Sequence, residues 1–236
     1  MLAVLDCRAP DEAEAALIEY GHRILRLPPH PRLPAPVASH PDMLLFFAPH
    51  AILCTQSYAR IAKQELKQIS NHLNLPLCTI KEDYGARYPN DVLLNAASIG
   101  DYLLCFPQAI ASELTKYYKN HILPVRQGYT KCSTLPIGKH ALITEDPSIF
   151  KTAACIGLDV LRISSGHIQL DGYDYGFIGG CASFSPYEKT DTVYFCGDLS
   201  SHPDDASITA FCKRNGFHVR SLGTFPLTDI GTMFLI

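Results

Sequence analysis

The sequence predicts an α/β fold: a five-bladed, pseudo-fivefold α/β propeller closed by pairing of the N- and C-terminal strands. Three observations predict it. A short apolar strand, a polar turn and an amphipathic helix recur five times along the 236 residues. A further strand follows each helix and another apolar run precedes each strand–helix pair, so one supersecondary unit repeats. The fifth repeat begins at residue 227 and runs out at Ile236, and residues 1–27 supply what it lacks.

The recurring strands read MLAVLDC (1–7), AILCT (51–55), DYLLC (101–105), HALITE (140–145) and TVYFCGD (192–198). Helices are expected over 11–20, 57–71, 108–119, 147–155 and 204–215. Pro10-Asp11, Ser57, Pro107 and Pro147 supply starting signals, and Gly21, Gly157 and Gly216 stand where a C-terminal glycine stops a helix. HRILRLP, LPLCTI, HILPVR, LDVLRIS and FHVRSLG follow them as strands. The preceding runs are HPDMLLFF (40–47), YPNDVLLNAA (88–97), GYTKCSTLPI (128–137), YDYGFIGGCAS (173–183) and LTDIGTMFLI (227–236), each read as a strand with a polar start.

The units are therefore 227–236 with 1–27, 40–80, 88–126, 127–164 and 173–223, within one domain spanning 1–236. A bare C-terminal strand such as GTMFLI would be an aggregation-prone edge, and pairing it with MLAVLD removes that edge. The proline-rich stretch 28–36 reads as a stiff surface link between units.

Composition narrows the function classes. The chain is 47% hydrophobic with a net charge of -3, enough apolar material for a substantial core. Weak acidity without a Lys/Arg run gives little drive to condense on nucleic acid or anionic lipid. No apolar stretch approaches the roughly 20 residues of a membrane span, and Asp6 interrupts the opening run too early for a signal peptide. Nine dispersed cysteines without a CxxC pair fit reduced thiols in a cytoplasm. The ten histidines form no HxxxH or HExxH pair, so no metal is expected. GFIGG (176–180) lacks dinucleotide-binding spacing, so no cofactor is expected either; its glycines read as sites of close packing. Cys7, Cys54, Cys105 and Cys196 occupy equivalent repeat positions and read as small buried side chains, as do Cys78, Cys155 and Cys212.

Pro89-Asn90 followed by VLLNAASIG (92–100) resembles the second-unit strand of arginine deiminases. GHIQLDGYDYGFIGG (166–180) is similar to a stretch of an uncharacterised bacterial family assigned to the same fold. With the fivefold repeat, these segments resemble the pentein superfamily of guanidino-group-modifying enzymes. The resemblance implies a guanidino or amino-acid-like ligand bound where the first strands meet, with amidinohydrolase- or deiminase-type chemistry on a guanidino C–N bond. The sequence departs from that pattern. The family's nucleophilic Cys would start the last strand, which reads TDIGTMFLI; Tyr173-Asp174-Tyr175 replaces the fourth-unit His; and the second-unit carboxylate falls near Asn95-Ala96. The superfamily also holds a ribosome-associated translation factor, so a non-catalytic protein- or ribosome-binding module is the alternative.

The repeat alignment gathers Asp42, Asn90, Asp91, Asp174 and Asp229 as strand starts, with Thr130 and Lys131 from the third unit. They read equally as a carboxylate-rich binding pocket, with Asn95 and Tyr173 beside them and Lys131 for an anionic group, or as strand caps and Asx turns. His167 is a candidate general base with Asp171, four residues on, as its orienter, and Asp174 is the second candidate catalytic residue. Cys132 lies nearer its strand start than Cys181, which stands seven residues past Asp174, roughly 23 Å along an extended strand.

Overall fold

A computed structural model describes residues 1–119, 121–186 and 191–236; residues 120 and 187–190, inside two of the expected units, lie outside the described residues. The chain starts with β1 (Leu2–Asp6), α1 (Asp11–Glu19) and β2 (Arg23–Leu27). Next come α2 (Pro41–Leu44), β3 (Phe46–Ala48), β4 (Ala51–Thr55), α3 (Gln56–Ile61), α4 (Lys63–Leu73) and β5 (Leu77–Ile80). The third stretch holds β6 (Ala97–Ile99), β7 (Tyr102–Cys105), α5 (Ser112–Thr115) and β8 (Ile122–Pro124). The fourth holds β9 (Leu135–Ile137), β10 (Ala141–Thr144), α6 (Pro147–Cys155) and β11 (Asp159–Arg162). The last comprises α7 (Ile178–Cys181), β12 (Ala182–Phe184), β13 (Thr192–Phe195), α8 (Asp205–Arg214), β14 (His218–Ser221) and β15 (Phe234–Leu235).

These strands form five three-stranded sheets: β15-β1-β2, β3-β4-β5, β6-β7-β8, β9-β10-β11 and β12-β13-β14. In each the middle strand runs antiparallel to one neighbour and, across the helical connection, parallel to the other. The middle strands explain the architecture. Every residue of β1, β4, β10 and β13 is buried, as expected of strands covered on both faces. The ends of the chain meet in one sheet, with Ala3 opposite Leu235 and Val4 opposite Phe234. Leu2 and Ile236 exchange main-chain hydrogen bonds of 2.6 and 2.8 Å.

The first strands are shorter than the sequence predicts. Pro41–Leu44 and Ile178–Cys181 are single helical turns, and most of residues 89–96 and 128–134 form turns. A buried apolar run does not distinguish these states by periodicity. The helix expected over 108–119 shrinks to Ser112–Thr115, because the Ala111 N–H bonds Leu93 O across to another segment instead of continuing a helical ladder. The helix expected over 57–71 divides at Ala62, whose φ and ψ of -103° and 38° leave the helical region. Its N-cap is Thr55, whose hydroxyl accepts from the Tyr58 N–H, not Ser57. Asp146 caps α6 by accepting from the Ser148 and Ile149 N–H groups, with Pro147 at the first position.

Candidate functional site

The short first strands β6, β9, β12 and β15 touch in succession, β6 against β9, β9 against β12, and β12 against β15. Phe47 of β3 stacks edge-on against Phe234 of β15 at 4.6 Å. The polar segments that precede these strands therefore converge. Two glycines of the GFIGG run permit the approach. A Cβ at Gly179 would collide with the Lys131 and Thr134 carbonyls, and one at Gly180 with the Asp229 carboxylate.

A buried network results. Asp42, 1% exposed, accepts through Oδ2 from Cys132 Sγ (3.1 Å) and from Thr232 Oγ1 (2.9 Å). Asn95 spans three segments: its Nδ2 donates to Asp42 O and lies 3.1 Å from Cys132 Sγ, while Oδ1 accepts the Lys131 N–H at 2.7 Å. Lys131 Nζ donates to Thr232 Oγ1 (2.8 Å) and Gly179 O (3.2 Å). Thr232 has a φ of 70°, a left-handed conformation costly for a β-branched residue. Its hydroxyl accepts from Lys131 Nζ and has Asp42 Oδ2 and Gly179 O as alternative acceptors for its one proton, and these contacts offset the strain.

Next to this network, Asp229 accepts the Phe177 N–H through Oδ2 and the Gly231 N–H through Oδ1, both at 2.9 Å. Buried His40 lies between two carboxylates, Nδ1 at 3.8 Å from Asp229 and Nε2 at 3.7 Å from Asp6. Both separations exceed hydrogen-bond length. Burial raises the Asp229 pKa; His40 and the two N–H donors oppose the rise, and the Asp42 charge adds to it. Burial, then the charges of Asp42 and Asp229, push the Cys132 thiol well above its ordinary value. Burial also works against the Asp6 carboxylate, but the Arg8 guanidinium and main-chain N–H, with His40 and Ser39, outweigh it and lower its pKa.

A cavity of about 210 Å³ opens over His40, Cys132 and Asp229. Its walls are Tyr129, Tyr173, Tyr175 and Phe177, with Asp174 beside them and Val37 and Leu170 completing it. Tyr129 is fixed by donating to Asp91 Oδ2 at 2.8 Å and by stacking on Phe177 at 6.2 Å. Tyr173, Asp174 and Tyr175 are exposed at the mouth.

The sequence-predicted residues divide accordingly. Asp174, Tyr173 and Asp229 line the cavity, and Asp42, Asn95 and Asp91 are buried supports one bond away from it. Lys131 does not line it; its side chain runs to cavities lined by Phe184 and Phe234. Thr130 holds its own turn, donating to Gln127 O. Asn90 is an exposed loop residue. His167 is exposed and lies beside His202, 5.4 Å between rings, and is absent from the cavity that Asp174 lines. Cys155 is exposed, and the seven-residue extended separation of Cys181 from Asp174 is interrupted by the α7 turn. Sequence reasoning singled out Tyr173 but passed over His40, Tyr129, Tyr175 and Phe177. His40 stands two residues before Asp42 in the strand start HPDMLLFF, which is the one sequence signal that pointed to it.

Among the described residues, no cluster of three or more His, Cys, Asp or Glu side chains is arranged to hold a metal ion. No helix among them is long and apolar enough to cross a membrane.

Five three-stranded sheets of this topology define a mixed α/β, pentein-like fold, which solved structures share. Dimethylarginine dimethylaminohydrolase, as a His-to-Gly variant in an adduct with S-methyl-L-thiocitrulline, matches with a TM-score of 0.56 and 10% identity. The match covers 94% of this chain and 92% of that one. The enzyme of that name from Pseudomonas aeruginosa, a Cys-to-Ser mutant complexed with citrulline, matches with a TM-score of 0.55, 10% identity and the same coverage. At this identity the likeness concerns the fold alone. By sequence, the chain belongs to a family described as a family of unknown function (DUF6873), whose model matches residues 4–234. No curated protein sequence matches it.

Proposed function

We propose that the five sheets are blades of one closed propeller domain spanning residues 1–236, and that the cavity over Asp229 binds a guanidino or amino-acid cation. The succession of contacts between first strands and the β1–β15 pairing support the closed ring. The cavity lining carries the ligand reading: four aromatic rings face a space that also holds the carboxylates of Asp174 and Asp229. Aromatic faces attract a planar cation and carboxylates hold it by charge-assisted hydrogen bonds. The two similar dimethylarginine dimethylaminohydrolase structures hold citrulline and S-methyl-L-thiocitrulline, which supports a ligand of this size and class. The floor also carries a thiol, Cys132, and an imidazole, His40. Ammonia or urea release from a bound guanidine is therefore the turnover to measure. Nine free cysteines suit a reducing, cytoplasmic setting.

A thermal-shift panel of arginine, agmatine, citrulline, methylated arginines and creatine tests the reading. A ligand at about 100 times its dissociation constant adds about 2.7 kcal/mol, which raises the midpoint by about 5–10 °C for a domain of this size. Asp174→Asn, at the exposed mouth, should weaken binding by about fivefold, the range of a solvent-screened charge pair. A flat panel would defeat the ligand reading, and specific capture of a protein or ribosomal partner would then favour the binding-module alternative.

A further inference from the structure

Lys131 points away from the aromatic cavity. Its main-chain N–H is held by Asn95 Oδ1, while its ammonium reaches the segment ahead of β15, where Thr232 Oγ1 and Gly179 O each accept a bond. Of the three N–H bonds of an ammonium, two are thus used by neutral acceptors. Two adjoining cavities, of about 170 and 460 Å³, share Lys131, Ser98, Ser183, Phe184 and Phe234. Asp42 lies at the smaller of them, buried, and its Oδ1 accepts no hydrogen bond among the described residues. A single hydroxyl, Thr232 Oγ1, links the Asp42 carboxylate to the Lys131 ammonium. The rest of the smaller cavity is apolar, including Leu45, Phe47, Leu94 and Ile236.

We propose that this cavity is a second binding site, for a zwitterionic α-amino acid with an apolar side chain. Its carboxylate would take the remaining Lys131 N–H, its ammonium the buried, unpartnered Asp42 Oδ1, and its side chain the wall of Phe47, Phe184 and Phe234. The two protein charges lie one bridging oxygen apart, a separation that matches an α-amino acid and not a longer ω-amino acid. A carboxylate alone would meet Asp42 as a like charge, and an amine alone would meet Lys131 as one, so each half-ligand is disfavoured. The charged groups are already withdrawn from water and fixed by hydrogen bonds, so binding need not order them afresh. Burial lowers the Lys131 pKa, and the Asp42 charge opposes that shift. No lining residue is shared with the cavity over Asp229, so this inference stands apart from the guanidino reading.

Isothermal titration of the full chain with L-leucine, L-isoleucine and L-phenylalanine tests the site, with 4-methylpentanoate and 3-methylbutylamine as probes lacking one charge. At least one of the three amino acids should bind, and each half-probe should bind at least tenfold more weakly than leucine. Lys131→Met should remove binding. Because Lys131 is packed into the core network, Phe184→Ala provides the independent variant: it alters only a half-buried wall and should weaken binding about tenfold. Asp174→Asn, at the other cavity, should leave the affinity unchanged. Absence of heat with all three amino acids, equal affinity for 4-methylpentanoate and leucine, or loss of leucine binding in Asp174→Asn would each overturn the proposal.

Discussion

Thr232→Val separates the hydroxyl of Thr232 from its strained backbone. Valine is β-branched and nearly isosteric, so it keeps the unfavourable φ of 70° and removes only the oxygen. That oxygen accepts from the Lys131 ammonium at 2.8 Å and lies 2.9 Å from Asp42 Oδ2 and 2.6 Å from Gly179 O. Without it, the ammonium keeps its bond to Gly179 O and the carboxylate its bond from Cys132 Sγ. Hydrogen bonds to charged groups contribute about 1.5–3 kcal/mol each. Two are weakened here and the groups relax in part, so the expected loss is about 3 kcal/mol. Urea unfolding followed by circular dichroism should show a lower midpoint at unchanged m, and the thermal midpoint should fall by about 6–12 °C. Thr232→Ser, which keeps the hydroxyl and deletes one methyl, should cost no more than about 1 kcal/mol. If the valine variant stays within about 0.5 kcal/mol of the parent, the hydroxyl does not hold the two charges and the account of the network fails.

Two further outcomes are expected. The folded-state pKa of Asp6 lies below its ordinary 3.8, so its contribution to stability is present above that pH and disappears as pH falls through the lowered value. Arg8→Gln removes the guanidinium and leaves burial to raise the Asp6 pKa, so acid unfolding should begin at higher pH; an unmoved acid transition would show that Arg8 does not set it. Among the thiols Cys155 is exposed, whereas Cys54, Cys105, Cys132, Cys181, Cys196 and Cys212 are buried with raised pKa values. Brief alkylation at pH 8 followed by peptide mass mapping should mark Cys155 ahead of those six, and early labelling of Cys132 would contradict the buried network.

The middle strands were legible in the sequence because burial on both faces leaves an uninterrupted apolar run, as in AILCT, that no polar alternation confuses. The segments before the first strands were not, because buried PDML and IGGC are mostly apolar, with Asp42 the exception, while their backbones turn as helices. Position in the repeat pointed to Asp42 and Asp229, but what each carboxylate does depends on partners far along the chain. Cys132 reaches Asp42 across 90 residues and Thr232 across 190. Repeat position placed Asn90 in the same set, yet its N–H bonds Arg87 O in a turn that leaves it exposed. The aromatic walls gave no periodic signal, since Tyr129, Tyr173, Tyr175 and Phe177 come from irregular segments that only the tertiary fold assembles.

The sheet that joins β1 to β15 also bears on synthesis. During vectorial translation β1, α1 and β2 are made long before the antiparallel neighbour of β1, since β15 follows every other strand of the five sheets. One flank of β1 therefore waits, unpaired and apolar, until β15 is made, and the pairing joins residues as far apart as Ala3 and Leu235. Such long-range pairing is slow and exposes intermediates to association. A nascent chain stalled before Phe234 should accordingly be a client for chaperones in a way that a chain carrying β15 is not.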